Sequence, residues 1–341
     1  MLHLRVWGPP DGTPLLFLHG NCSSSGYWEP LIRRLPESWR TIAPDLRGYG
    51  RSPALPVDAT RGLRDFADDV APLLGSFAGK PIVVGHSMGA GVAMCLAIDH
   101  PGAIAALVLE SPLSPYGFAG LRDLDGTPVT EDFAGTGAGT VNPDFLRRLA
   151  AGDRSAEAQT SPRNVMRTLY VADPGAFGAD EEAMLDTVLS TVVGPDNYPG
   201  DAVASPHWPM TAPGTRGVLN ALSPKYFHVA DELVTLDPKP PIVWVRGDRD
   251  AIVSDRSLLD PAHLGRLGML PGWPGKRARP AHAMVSQTRA VFERYAACGG
   301  RFTEVVYRGC GHSPHIERAE RFAALLHDLA EAESTAAVIG R

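Results

Sequence analysis

The stretch PIVVGHSMGAG, residues 81–91, decides how this chain is read. An apolar run at 81–84 leads into Gly85, His86, Ser87, Met88 and Gly89, and the small-residue segment that follows reads as helix until Pro101. A serine framed by glycines at a strand-to-helix turn is a nucleophile elbow: the turn exposes the hydroxyl, and the glycines let the backbone close and the helix lie tightly on its strand. A serine hydroxyl is a weak nucleophile near neutral pH, so an elbow implies a base and a pair of oxyanion-binding amides elsewhere in the chain.

Working outward, short apolar strand candidates at 15–18, 41–43, 82–84, 106–109, 242–245 and 302–306 alternate with helix candidates at 28–35, 63–77, 91–98, 284–297 and 318–331. That alternation predicts an α/β fold with a mostly parallel central sheet flanked by helices, and residues 2–6 alternate as an antiparallel edge strand would. The rhythm lapses over 113–237, where prolines, glycines and short helical pieces at 144–150 and 181–192 predict a large, mainly helical cap inserted into a core formed by 1–112 and 238–334. A Gly/Pro-rich segment at 258–279 reads as an extra rim element within the core, and 335–341, in the alanine-rich end after Glu331, as a flexible tail.

Composition narrows the class. The 341 residues carry a net charge of −6 with 44% hydrophobic content and no basic run, the profile of an ordinary globular chain that would repel nucleic-acid phosphates. No apolar run is long enough to span a bilayer and the amino terminus reads as a strand, so no membrane insertion and a cytoplasmic location are expected. Cys22, Cys95, Cys298 and Cys310 are scattered, which predicts free thiols rather than a zinc site or disulfide scaffold. Nothing in the sequence bears on oligomeric state.

The chemistry gathers after strand ends. His19, Gly20, Asn21 and Cys22 follow the 15–18 strand, where the second oxyanion amide is needed; Asn21 is the candidate, with the amide of Met88 as the first. His312 follows the last strand and is the candidate base. The orienting acid has two candidates: Asp250, on the loop after strand 242–245, is favoured, and Glu110, ending strand 106–109, is the alternative. Asp248 reads as a turn residue.

These pieces together resemble the α/β-hydrolase superfamily, in its capped serine esterase and lactonase-like branch. The matching motifs are LFLHGN (16–21), PDLRGYGRS (44–52), VVGHSMGAG (83–91), GDRDAIV (247–253) and GCGHSPHIE (309–317), which span the core and leave both insertions unmatched. The resemblance implies Ser87, Asp250 and His312 as a triad, Asn21 and Met88 as oxyanion donors, a structural role for Asp45, Arg47 and Gly48, and no metal or organic cofactor. Ser87 excludes the aspartate chemistry of related dehalogenases and epoxide hydrolases. Met88 stands where proline aminopeptidases carry tryptophan, and residues 19–23 lack the HGxGPG-like start of carbon–carbon bond hydrolases.

The expectation is therefore an ester hydrolase working through an acyl-enzyme on a bulky, partly apolar small molecule. A lactonase or macrolactone hydrolase, a thioesterase or amide hydrolase, and a ligand receptor of the same fold remain alternatives. Tyr27, Trp28, Tyr116 and Trp208 are the aromatic candidates for lining the substrate pocket.

Overall fold

The structure is a computed structural model that describes residues 1–339. Seven strands form one sheet: β1 (Leu4–Trp7), β2 (Thr13–Leu18), β3 (Trp39–Pro44), β4 (Ile82–His86), β5 (Ala106–Glu110), β6 (Ile242–Gly247) and β7 (Phe302–Tyr307), in the order β1-β3-β2-β4-β5-β6-β7. β1 pairs antiparallel with β3 and every other pairing in this sheet is parallel, as the alternation of elements required.

Side chains alternate across the pleat, so each strand feeds two cores. Leu16, Leu18, Val83, Leu107, Leu109 and Trp244 face one side; Leu15, Phe17, Val84, Ala106, Val108 and Val245 face the other. Strands buried on both faces explain why the runs read as continuous apolar stretches without polar alternation.

Two layers of helix cover these faces. On one lie α1 (Arg64–Val70), α2 (Met88–Asp99) and α5 (Met284–Ala297), with Phe66, Leu96 and Phe292 buried in the first core. On the other lies α6 (Ala319–Ile339), which inserts Phe322, Leu326 and Ala330 into the second. Pro72 ends α1 early, and the 63–77 candidate becomes α-helix followed by a 3₁₀ turn at Ala71–Ser76. The alanine-rich end was expected to be a flexible tail; it continues as helix to Ile339, in keeping with alanine's high helix propensity, and residues 340–341 lie outside the described residues.

Residues 113–237 add no strand to the main sheet. They hold α3 (Pro143–Ala150), α4 (Glu181–Leu189), shorter helical turns, and two ribbons that the sequence did not signal: Val193–Gly194 beside Tyr198–Pro199, and Ala202–Ala204 beside Thr211–Pro213. Pairings two or three residues long are too short to leave a periodic trace. Phe145, Leu149, Met166, Tyr170 and Leu185 of this segment belong to the same apolar cluster as Leu16 and Val83, so the insertion lies on the core rather than folding around one of its own. The 258–279 segment contains a short helix, Pro261–Arg266, capped by Asp260.

Candidate active site

The parallel register brings one end of every central strand into line: Leu18 sits beside Gly85, His86 beside Glu110, and Glu110 beside Val245. The loops that leave these ends carry His19 to Asn21, Ser87, Ser111, Asp250 and His312, which places them along the carboxyl edge where ligands of open α/β sheets bind. Backbone strain collects here too. Cys22, Ser87 and Ser111 all have positive φ, at 46°, 54° and 43°, and such outliers persist only where the surroundings hold them.

At the elbow, Ser87 adopts φ 54°, ψ −118° and begins α2. Its amide donates to the carbonyl of Glu110 at 2.8 Å, which pins the turn to the neighbouring strand. A Cβ at Gly89 would collide with the carbonyl oxygen of Leu18, and one at Gly85 would meet Gly89 O at 2.5 Å, so neither position admits a side chain. From Pro81 to Ala97 every residue but Ser87 is buried. The fold thus seals the elbow and leaves its hydroxyl-bearing residue in partial contact with solvent.

His312 and Asp250 meet beside it. His312 Nδ1 lies 2.8 Å from Asp250 Oδ2, so Nδ1–H donates to the carboxylate and Nε2 is left as the basic nitrogen. The other carboxylate oxygen, Oδ1, accepts the amides of Ile252 and Val253 at 2.8 and 2.9 Å, which fixes the carboxylate plane. Among the described residues Nε2 of His312 has no protein partner and no hydrogen bond joins it to Ser87 Oγ; nucleophile–base bonds commonly tighten only with substrate in place.

Glu110 is engaged elsewhere. Its Oε1 accepts the amide of His315 and its Oε2 the Nδ1–H of the same residue, both at 2.8 Å, with the two side chains at 0% exposure. His315 Nε2 faces the carbonyl of Tyr27 at 3.3 Å. The alternative acid is therefore part of a second buried carboxylate–imidazole pair and makes no hydrogen bond to His312.

On the oxyanion side, Gly20 packs so closely on the elbow that a Cβ there would lie 2.9 Å from His86 Nδ1 and 3.1 Å from Ser87 Cβ. His19 locks this loop: Nδ1–H donates to Gly20 O at 2.8 Å and Nε2 accepts the amide of Leu46 at 2.9 Å, a pair of bonds that only the neutral ring can make. Burial accordingly lowers the His19 pKa to about 4. Asn21 Oδ1 accepts from Tyr49 Oη at 2.7 Å, and the amides of Asn21 and Met88 have no hydrogen-bond acceptor among the described residues. His86 lies between the two sides. Its Nε2–H donates to the carbonyl of His312 at 3.0 Å, and burial, then the neighbouring His312 and His315, holds its pKa well below the ordinary value.

The aromatic candidates are not where a substrate pocket would need them. Tyr27 and Trp28 are wholly buried beneath the elbow, stacked against His86 and His315, with Tyr27 Oη bonded to Ser313 Oγ at 2.9 Å. Tyr116 is buried and accepts a hydrogen bond from Arg294. Trp208 donates to the carbonyl of Pro271 and joins the insertion to the 258–279 segment. Tyr27 and Tyr116 are buried with their hydroxyls satisfied, as packing residues are, while Trp28 is buried with its Nε1 unpartnered among the described residues and Trp208 is half-buried.

Three residues that the sequence reading passed over do touch the site. Tyr170 reaches from the insertion to the carbonyl of Cys22 at 3.1 Å, and Tyr49 holds Asn21. Glu317 takes three backbone amides on one carboxylate: Gly311 on the histidine loop at 2.5 Å, and Ala172 and Asp173 of the insertion at 3.0 and 3.1 Å. A Cβ at Gly311 would press to 2.6 Å from Ala172 N, so the insertion and the loop bearing His312 are in direct contact. The position of Glu317 inside the GHSPHIE motif was the available signal. Cys22 and Cys310, each beside the site, are buried thiols whose pKa values burial raises to about 12 and about 11, which keeps them protonated. Among the described residues no three His, Cys, Asp or Glu side chains converge as metal ligands would, and no helix is long and apolar enough to cross a membrane.

Comparison with known proteins gives three kinds of match. Residues 13–283 fit the family described as alpha/beta hydrolase fold. The chain is 37% identical over 148 residues to a putative carbamate hydrolase RutD from Variovorax paradoxus, covering 42% of this chain and 55% of that one, and 30% identical over 191 residues to a serine hydrolase-like protein from Danio rerio, covering 56% and 55%. It thus spans about half the length of these curated relatives. Among solved structures, a putative aryl esterase from Burkholderia cenocepacia superposes with a TM-score of 0.59 at 21% identity over 98% of this chain and 95% of that one, a likeness of fold.

Proposed function

The chain belongs to the α/β-hydrolase family, and from that premise we propose that it is a serine hydrolase cleaving carboxylic esters through an acyl-enzyme. The observation that carries this reading is the pairing of His312 with Asp250 at 2.8 Å on the edge where Ser87 is the lone partly exposed residue of a buried elbow.

In this mechanism His312 Nε2 takes the Ser87 proton as Oγ attacks the substrate carbonyl, and Asp250 keeps the imidazole in the required tautomer and stabilises the imidazolium. The amides of Asn21 and Met88 bind the oxyanion; each such donor is worth about 3 to 4 kcal/mol of transition-state stabilisation. His312 then protonates the leaving alcohol, and water deacylates the enzyme along the reverse path. The low pKa of His86 keeps that ring uncharged, so no second cation opposes formation of the His312 imidazolium.

Residues 113–237 act as the cap. Tyr170, which reaches from the insertion to the Cys22 carbonyl, and Glu317, which joins the insertion to the histidine loop, support this, because each links the insertion to one half of the site. The substrate class is a partly apolar small-molecule ester. A panel of esters, lactones, thioesters and anilides assayed with wild type and Ser87→Ala tests the reading: ester turnover that falls roughly 10³-fold or more in the variant is expected, and preferential turnover of another class would redirect it.

A further inference from the structure

Exposed apolar side chains are unevenly spread over the molecule. Of the eleven large hydrophobics that stand exposed among the described residues, Leu258, Leu259, Leu267 and Met269 lie in one short segment, and Val203 and Met210 in the ribbon beside it. Met269 and Met210 are the most exposed of these six, at 66% and 61%. The two regions form one surface: Trp208 Nε1 donates to Pro271 O, and Trp208, Pro209, Asp260 and Pro261 line a common crevice. Single exposed apolar residues need no explanation, but a group of this size does.

This segment and the residues just before it, 256–279, are basic in an acidic protein. Arg256, Arg266, Lys276 and Arg277 are exposed, and none of them forms an ion pair among the described residues. The one exposed acid between 254 and 279, Asp255, is occupied by the amides of Val285 and Ser286 and by the Ser286 hydroxyl. Against a whole-chain charge of −6, residues 256–279 carry a local excess of cations set around leucine and methionine, while the ribbon side holds the acid Asp132, whose Oδ2 accepts the Ser205 hydroxyl at 2.6 Å.

We propose that the 258–279 segment, with the Val203–Met210 ribbon beside it, is a docking surface for an anionic lipid layer. The cations would meet the headgroup charge while the leucines and methionines enter the acyl boundary, the division of labour of interfacial elements. A second copy of the chain is a poorer occupant, because a two-fold contact through this surface would set the cations against themselves. A nucleic acid would leave the apolar side chains without a partner. The surface also adjoins the site: the segment leaves directly from the Asp250 loop, with the Leu258 amide donating to Ala251 O at 2.8 Å, so docking would bring that loop close to the lipid. That the substrate is then an amphiphilic ester drawn from the layer rests on the hydrolase reading; the docking itself does not.

Co-sedimentation with vesicles of equimolar phosphatidylglycerol and phosphatidylcholine, and of phosphatidylcholine alone, tests the docking. All arms use the full chain carrying Ser87→Ala, so that failure of the hydrolase reading leaves this test intact. Expected is binding to the anionic vesicles that weakens with salt, falls about a hundredfold or more when Arg256, Arg266, Lys276 and Arg277 are all changed to Gln, and about tenfold or more in Leu267→Ser/Met269→Ser, with melting temperatures unchanged. No binding to the anionic vesicles, equal binding to the neutral ones, or binding indifferent to both variants would overturn it. So would loss in the charge variant alone, the mark of a polyanion or acidic-protein site, or concentration-dependent self-association that the Leu267/Met269 change abolishes, the mark of a second copy.

Discussion

Two carboxylate–imidazole pairs sit within one small region of this molecule. Asp250–His312 and Glu110–His315 have the same Nδ1-to-oxygen separation of 2.8 Å, and His86 packs against both histidine rings. What differs is what each pair leaves over. His315 offers its second nitrogen to the Tyr27 carbonyl inside the core, whereas the second nitrogen of His312 has no protein partner among the described residues, on the edge that carries Ser87. A carboxylate beside a histidine does not by itself mark a catalytic pair; in the proposed mechanism the unpartnered nitrogen of His312 is what separates the two.

The sharpest way to break that comparison is to remove the hydroxyl and the base. Ser87→Ala and His312→Ala should each lower kcat by roughly 10³-fold or more with little change in melting temperature, measured on whichever ester the wild type turns over best. Next come the two acids. Asp250→Asn should cost on the order of 10³- to 10⁴-fold in kcat, by loss of the correct tautomer, while Glu110→Gln should keep kcat within about tenfold but destabilise the fold by about 3 to 5 kcal/mol, as breaking a buried pair does. Urea melts and kcat on the same two proteins separate the cases, and a crippled, stable Glu110→Gln would reverse the assignment.

A smaller effect is expected at Glu317. Glu317→Gln keeps the shape but offers the three amides a neutral acceptor, and should lower kcat/KM by about tenfold and raise hydrogen exchange at Ala172 and Asp173. Unchanged exchange there would show that the insertion is held by packing alone.

A separate effect is on stability against pH. Burial lowers the pKa of His19 and of His282 to about 4, while the unfolded chain titrates near 6.5, so the unfolded state binds more protons between these values. Stability is then full above pH ~6.5 and falls as pH drops toward 4, and a tenfold difference in proton affinity between the two states is equivalent to about 1.4 kcal/mol. Asp260, raised by burial to about 6, works in the opposite direction by gaining its proton first in the native state, and offsets part of the loss. Thermal melts in this range should show a falling midpoint; a flat or rising one would mean that the histidine loops open to water.

Much of this was legible in the sequence where local chemistry is strict. The central strands are buried on both faces and so read as unbroken apolar runs, α5 was read at its observed bounds of Met284–Ala297, and the GHSMG turn admits few alternatives because Gly85 and Gly89 touch backbone. Tertiary partners were not legible. Position after a strand end suits Glu110 as well as Asp250, and only the fold shows that the former faces His315. The aromatic residues misled for a related reason: Tyr27 and Trp28 follow the oxyanion loop in sequence but fall beneath it in space, and composition cannot tell a wall from a floor. Glu317 lies five residues past His312, yet its role depends on amides near 172 that no spacing rule connects to it.

In the proposed mechanism Ser87 Oγ is the attacking atom. Intact-mass and peptide analysis after brief exposure to an aryl phosphonate ester measures this directly. One adduct per chain is expected, on Ser87, formed far more slowly in His312→Ala and not at all in Ser87→Ala. An adduct on any other residue, or undiminished ester turnover by Ser87→Ala, would contradict it.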